Sequence, residues 1–89
     1  MVEYDARKSR ANARKHGMAF ADCETVLLDP RAVTLEDWSE SEHRFNTIGL
    51  DVYGQLLVVT WTERNHDIRI ISARKASARE RRNYHGPRT

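Results

Sequence analysis

The hydrophobic and polar positions near the start of the chain follow helical spacing. Residues 6–16 contain no β-branched side chain, and Asp5 and Gly17 stand where an N-cap and a C-terminal stop are expected. Residues 19–28 carry apolar side chains three and four positions apart and are followed by Asp29-Pro30, a pair that ends helices. The pattern predicts two N-terminal helices, the first with only a thin alanine stripe on its buried side.

Short apolar segments separated by turn residues follow these helices. The predicted strands are residues 32–35, 44–50, 55–62 and 68–74. An acidic turn over residues 36–42 separates the first two strands. Residues 76–84 return to helical composition, and Ser77 and Glu80 are spaced as a capping box. This order predicts one α+β domain over residues 1–89, with the helices on one face of an antiparallel sheet of about four strands.

Side-chain alternation in the last two predicted strands indicates which positions face the core. Leu57, Val59 and Trp61 share one face of their strand, whereas Thr60, Thr62 and Arg64 point to the other. One face is therefore predicted to be core and the other polar. In the next strand Arg69 and Arg74 are separated by an odd number of positions. They can share a face only if a β-bulge lies between them.

The composition limits what such a domain can be. The chain has 89 residues, of which 39% are hydrophobic and 31% charged, enough for one small core. No apolar run approaches the roughly 18 residues of a membrane span, and the first residues lack the pattern of a secretory signal. The single Cys23 cannot form an internal disulfide. We therefore expect a cytoplasmic protein without a membrane contact.

The charges are segregated along the chain although the net charge is only +2. Residues 1–17 hold five basic and two acidic groups, residues 18–51 two and eight, and residues 52–89 eight and three. Twelve of the fifteen cations are arginine, whose planar fork suits bidentate contacts with phosphate. The two basic ends therefore suggest an anionic ligand.

Several families of chemistry have no support in the sequence. Cys23 and the four histidines show no paired metal-ligand spacing. No glycine-rich phosphate loop and no serine-hydrolase signature occurs. We expect neither a metal nor a cofactor.

Titratable and cationic side chains at the ends of predicted elements are the remaining candidates. They are Lys15, His16, Glu63, Arg64, Arg69 and Arg74. Each has an ordinary alternative, since His16 can be a cation at a helix C-terminus and Glu63 with Arg64 can be a local ion pair at a turn. The arginines near the C-terminus can likewise form a solvated helix face.

Short motifs in a fixed order along the chain resemble those of a known family. They are Arg14-Lys15-His16-Gly17, Phe20, Asp29-Pro30, Arg44-Phe45, Ile48-Gly49, Leu57-Val58-Val59, Thr62-Glu63-Arg64, Arg69-Ile70-Ile71-Ser72-Ala73-Arg74, Glu80-Arg81 and Tyr84. Together they resemble the BrnT toxins over residues 4–85.

The resemblance implies a fold, an activity and a partner. BrnT toxins are the ribonuclease half of a bacterial type II toxin-antitoxin module, with a fold similar to that of RelE-type toxins. They inhibit translation by cleaving RNA and are neutralised by BrnA, an antitoxin that binds DNA. The RNA sequence preference and any contact with the ribosome stay open.

RNA cleavage without a metal needs a base for the ribose 2′-hydroxyl, cations for the phosphate and an acid for the leaving oxygen. The phosphate clamp is assigned to Arg64, Arg69 and Arg74. The base is assigned to His16 or Glu63, and the acid to Lys15, His16 or Tyr84. The remaining RNA backbone contacts are assigned to Arg14, Arg79, Arg81 and Arg82.

Two other functions predict different behaviour. A non-catalytic module that binds nucleic acid through the same basic ends predicts salt-sensitive binding without cleavage. A protein-interaction module that docks a partner on Trp38, Trp61 and the acidic middle segment predicts a stable complex and no effect on RNA.

Overall fold

The computed structural model describes residues 2–39 and 41–86, and a five-stranded mixed sheet lies at its centre. The strands are β1 (Val2–Glu3), β2 (Val33–Asp37), β3 (Arg44–Leu50), β4 (Leu56–Arg64) and β5 (Asp67–Lys75), and the helices are α1 (Ala6–His16), a 3₁₀ helix (Phe20–Leu28) and α2 (Ala78–His85). The strand order is β1-β5-β4-β3-β2, with β1 parallel to β5 and all other neighbours antiparallel. The predicted α+β class is therefore correct for the described part of the chain.

The prediction of about four antiparallel strands was incomplete. The fifth strand, β1, pairs Val2 with Ile68 and Glu3 with Arg69. Two residues are too few to show an alternating pattern, so only the pairing with β5 reveals this strand. β2 also continues to Asp37, into the segment that was predicted as an acidic turn.

The helices depart from the prediction in type and in placement. The second is a 3₁₀ helix, a tighter form that is uncommon at nine residues. α2 begins after the Ser77 cap, at Ala78, two residues later than predicted. Only α1 has the predicted limits, with the Asp5 carboxylate accepting from the N–H groups of Arg7 and Lys8 and with Gly17 in the left-handed conformation at φ 81°.

One face of the sheet is covered by α1 and the 3₁₀ helix, and we call it the helix face. The buried residues there are Met18, Phe20, Cys23, Val26, Leu57, Val59, Ile70 and Ala73. Gly49 permits the close approach of the 3₁₀ helix, because a Cβ at this position would lie 2.9 Å from the backbone oxygen of Val26. Burial raises the pKa of the Cys23 thiol to about 11, so this group is protonated at neutral pH.

The prediction that all helices lie on one face was wrong. Ile48, Leu56, Val58 and Ala76 form a second buried cluster on the opposite face, with Tyr84 of α2 packed against it. The helix therefore covers one corner of that face. This small fold uses both sides of its sheet because successive residues of β4 are apolar and point in opposite directions.

None of the helices in the described ranges is long and apolar enough to cross a membrane.

Candidate functional site

The pairing of β4 with β5 contains one irregularity, which determines the geometry of the site. Thr60 is opposite Ser72, but the next residue, Trp61, is opposite Ile70. Ile71 is therefore an extra residue in β5 and forms a β-bulge. Beyond it, the side chains of β5 change face relative to an uninterrupted strand.

This bulge places the arginines of the hairpin on one face. Arg69 is opposite Thr62 and Arg74 is opposite Val58, and these two partners share a face of the regular strand β4. Arg64 has the same parity as Thr62 and lies on that face too. We call this surface the arginine face; α2 covers only the corner near Val58.

Arg74 is held in a defined position by α2. Its guanidinium donates two parallel hydrogen bonds to the Glu80 carboxylate, at 2.7 and 2.8 Å. Glu80 also accepts from the Ser77 N–H at 2.8 Å, and its own N–H donates to the Ser77 hydroxyl, which completes the capping box. The Arg74 guanidinium, followed by the Ser77 contacts, lowers the pKa of Glu80 to about 2. The pKa of Arg74 is raised by the same carboxylate.

The other two arginines of this face are less constrained. Arg69 Nη1 lies 3.9 Å from a carboxylate oxygen of Glu3, and its side chain is 26% exposed. Arg64 Nη2 lies 3.8 Å from the Glu42 carboxylate, and its side chain is 52% exposed. Long, partly exposed ion pairs are weak, so both guanidinium groups can exchange these partners for a phosphate.

Arg44 is a cation of this face that the sequence assignments omitted. It is opposite Asp37 in β2 and lies 3.6 Å from Glu42. Its Nε is buried and has no hydrogen-bond partner, which leaves one donor unsatisfied. Arg44 lies two positions before Asn46, which is opposite Thr60, so its side chain is on the same face of the sheet. The alternation of side chains along β3 could have identified Arg44 as a residue of this face.

Lys15 and His16 lie in a groove between α1 and the edge of β5. The groove is lined by Lys8, Ala11, Asn12, Lys15, His16, Ile71 and Ser72. Ser72 is opposite Thr60, so the groove borders the arginine face. Lys8 was also missed by the sequence assignments, although its spacing of seven from Lys15 places both on one side of a helix.

Asn12 holds α1 in this position. Its buried amide donates to the Met18 carbonyl at 2.8 Å and accepts from the Ala73 N–H at 3.1 Å. Ser9, one turn earlier, accepts from the Phe20 N–H at 2.9 Å. These bonds join the helix to β5 and to the 3₁₀ helix, and thereby fix the position of the helix that carries Lys15.

Glu63 and Tyr84 lie away from the groove. Glu63 has the same parity as Trp61 in β4 and belongs to the helix face. The Tyr84 hydroxyl donates to the Asp29 carboxylate at 2.7 Å, which raises the pKa of the tyrosine and lowers that of Asp29. Asp29 also accepts from the Leu50 N–H, so this contact fastens α2 to the sheet.

The remaining predicted RNA-binding residues are exposed but separate. Arg14 lies in the last turn of α1, and Arg79, Arg81 and Arg82 lie on α2. Arg81 lines a shallow groove with Lys75. The structure thus places basic groups on both sides of the arginine face.

Four stacked rings form a feature that the sequence assignments did not connect. Trp38 stacks on His43 at 3.5 Å, His43 contacts Phe45 at 4.3 Å and Phe45 stacks on Trp61 at 4.4 Å. Trp61 donates from its indole to Thr47 at 2.8 Å. The rings connect β2, β3 and β4 at the end of the sheet farthest from Tyr84.

Within residues 2–39 and 41–86, no group of three His, Cys, Asp or Glu side chains is arranged to hold a metal ion.

Comparison with known proteins identifies relatives of this fold. Residues 4–80 match the family model described as "Ribonuclease toxin, BrnT, of type II toxin-antitoxin system". The 1.1 Å crystal structure of the Brucella abortus ribonuclease toxin BrnT is similar, with a TM-score of 0.69 and 26% sequence identity. The match covers 85% of this chain and 95% of the Brucella chain. No curated protein sequence matches the chain.

Proposed function

This chain belongs to the BrnT family of ribonuclease toxins of type II toxin-antitoxin systems, as its motifs indicated, and we propose that it cleaves RNA on the arginine face without a metal ion. The site is formed by the arginine face and by the groove of Lys15 and His16 that borders it. The reaction is transfer of the phosphate to the neighbouring 2′-hydroxyl.

The bulge at Ile71 is the observation that carries this proposal. Without it, Arg69 and Arg74 would point to opposite sides of the sheet, and one of them would enter the apolar core. A buried unpaired guanidinium is costly, so a bulge that brings both to an open polar surface is consistent with a shared anionic ligand. Arginine forks bind two oxygens of one phosphate.

The arginine face and the groove contribute different steps of the reaction. Arg69 binds the non-bridging phosphate oxygens with its guanidinium fork, and Arg74, whose Nη1 and Nη2 are bonded to Glu80, contributes its positive charge and its remaining N–H donors. Together they stabilise the charge of the pentavalent transition state. The His16 imidazole, which lines the groove beside this face, accepts the proton of the 2′-hydroxyl as general base. The 2′-oxygen then forms a bond to phosphorus while the bond to the 5′-oxygen breaks, and the Lys15 ammonium donates a proton to that oxygen. The products carry a 2′,3′-cyclic phosphate and a 5′-hydroxyl.

Glu63 and Tyr84 have no place in this scheme. Glu63 faces the opposite side of the sheet, and the Tyr84 hydroxyl donates a hydrogen bond to Asp29 at the corner that α2 covers. Arg64, near the hairpin turn, and the exposed cations Arg14, Arg79, Arg81 and Arg82 contact the RNA backbone on either side of the cleaved bond. Their charge increases affinity without selecting a base.

Membership of the family implies an antitoxin as a partner. We propose where the toxin acts, what its activity inhibits and how the antitoxin controls it. The toxin acts in the cytoplasm, where RNA cleavage inhibits translation, and a BrnA-type antitoxin that binds DNA neutralises it. Contact with the ribosome would supply the RNA in an extended form.

The first experiment is RNA cleavage by purified protein with and without EDTA, comparing wild type with Arg69→Ala, Arg69→Lys and a matched control. Arg10→Ala removes an exposed arginine on α1 that does not line the groove. We expect cleavage in EDTA, unchanged cleavage by Arg10→Ala, and a loss of about 10²–10³-fold in Arg69→Ala. Arg69→Lys should restore little, because it keeps the charge and loses the fork.

Other outcomes contradict the proposal in separate ways. Cleavage that requires added magnesium contradicts the metal-free mechanism. Cleavage at the wild-type rate by Arg69→Ala removes the arginine face from the site. Salt-sensitive binding to RNA with no cleavage indicates the non-catalytic alternative.

A further inference from the structure

Exposed large apolar side chains concentrate in the segment of the chain that contains β2. The structure describes seven large hydrophobic residues with exposed side chains, and Tyr4 alone lies outside residues 28–53. The other six are Leu28, Leu35, Trp38, Leu50, Val52 and Tyr53. They flank β2 along its length. Trp38 follows its last residue, Leu35 lies in its middle, and Leu50 lies beyond its first pair, Val33 with Ile48. Concentrated exposed apolar residues mark interaction surfaces more often than scattered ones do.

β2 lies in this segment and is an edge strand of the sheet. It pairs with β3 on one side, and within the described residues no strand pairs with its other side. A terminal strand presents alternate N–H and C=O groups to any chain that lies beside it. Leu35, in the middle of β2, is 46% exposed, so an added strand could cover it.

The charge of this segment selects among the chains that could lie beside β2. Residues 18–51 contain eight acidic and two basic residues, whereas both ends of the chain are basic. Within β2, Glu36 and Asp37 are consecutive acids, and the Glu36 side chain remains 60% exposed. RNA is repelled by this charge, and a second copy that paired its β2 with this one would place like charges against each other. A cationic polypeptide is attracted.

We propose that β2 is the docking edge for an extended, cationic segment of the antitoxin, which adds to the sheet as a sixth strand. The register of β2 fixes the chemistry of that segment. The residue opposite Leu35 is apolar, and those opposite Glu36 and Asp37 are lysine or arginine. Because successive side chains alternate, these two cations lie on opposite faces of the extended sheet.

This inference rests on the proposed function only for the identity of the partner as an antitoxin. The docking edge is three strands away from the arginines of β5. The segment therefore anchors the partner beside the RNA site, and inhibition needs a further part of the antitoxin to reach the arginine face.

The test is an NMR titration of the full-length protein with a short capped peptide made of lysine, leucine, valine and threonine in the order that the register requires. The control peptide has every lysine replaced by glutamate. We expect chemical-shift changes confined to β2 and its neighbours, and none with the control. Leu35→Lys and Glu36→Lys should each weaken binding by about tenfold or more, because each places a lysine against the peptide where an apolar or acidic group lay.

RNA cleavage by the same variants separates this proposal from the previous one. Both substitutions lie outside the proposed catalytic groups, so both variants should cleave RNA like the wild type. The docking proposal is overturned if the cationic peptide shifts no β2 resonance, if the acidic control binds equally, or if β2 instead mediates a dimer of the free protein in light scattering. If the wild-type protein does not cleave RNA, the proposed function is contradicted, but the peptide titration still tests the docking proposal.

Discussion

At the scale of single residues, Asn12 connects the stability of the fold to the geometry of the candidate site. Its side-chain amide donates to the Met18 carbonyl and accepts from the Ala73 N–H, two backbone groups that are far apart in sequence. Both groups would otherwise be buried without a partner. Because Lys15 follows Asn12 by less than one turn of α1, the same bonds keep Lys15 at the groove that Ile71 and Ser72 line.

Replacing Asn12 with alanine should therefore be costly. We expect Asn12→Ala to lower the free energy of unfolding by about 2–4 kcal/mol, because two buried backbone groups lose their partner. Asn83→Ala, at an exposed position of α2, is the matched control and should change stability by less than about 0.5 kcal/mol. Denaturant unfolding measures both. Equal stabilities would show that water replaces the amide and that α1 does not depend on it.

At the scale of elements, the bidentate pair of Arg74 and Glu80 links β5 to α2. The carboxylate caps the helix through Ser77 and holds the guanidinium through two hydrogen bonds. Such a dual contact has a pH dependence with a defined sign. The pKa of Glu80 falls from 4.5 to about 2 on folding, so its contribution is complete above about pH 4.5 and is lost as the pH falls towards 2.

The variant that isolates this effect is Glu80→Gln, which keeps an oxygen for the Ser77 N–H and removes the charge. We expect it to lower stability at pH 7 by about 1 kcal/mol, since the pair is partly exposed. From pH 5 down to pH 2 the difference from wild type should shrink progressively. Unfolding curves across this range measure it. A difference that stays constant with pH would contradict the role of the ionised pair.

At the scale of the whole molecule, charge divides the surface into two sides. The basic ends of the chain contribute α1, the arginines of β5 and α2, whereas β2 and the loops around it are acidic and apolar. A nucleic acid and a cationic protein can therefore be bound on different sides. The arrangement also orients an approaching RNA before contact.

The salt dependence of RNA affinity tests this division. A 2′-deoxy oligonucleotide binds without cleavage because it lacks the attacking hydroxyl. We expect the logarithm of its affinity to fall linearly with the logarithm of salt concentration, and Arg69→Ala to reduce that slope by about 0.7, the value for one phosphate on a single strand. Arg31→Ala, on the acidic side, should leave the slope unchanged. Equal slopes in all three proteins would place the phosphate contacts elsewhere.

Much of the local structure was predictable because it depends on neighbouring residues. The limits of α1 follow from Asp5 and Gly17, and the cap of α2 follows from the spacing of Ser77 and Glu80. The same holds for the β4–β5 hairpin, whose turn residues Asn65 and His66 both have positive φ. The family motifs added the ribonuclease assignment, which residue patterns alone left open.

The sequence by itself determined the α+β class, α1, the antiparallel strands and the segregation of charge, because each is encoded in residues close together along the chain. Only the tertiary structure decided that β1 joins the sheet, that Ile71 is a bulge and that Arg69 and Arg74 therefore share a face. The face on which a side chain lies depends on how its strand is aligned with the neighbouring strand. The hydrogen bonds that fix this alignment join residues that are distant in sequence. The candidate site exists because of that register.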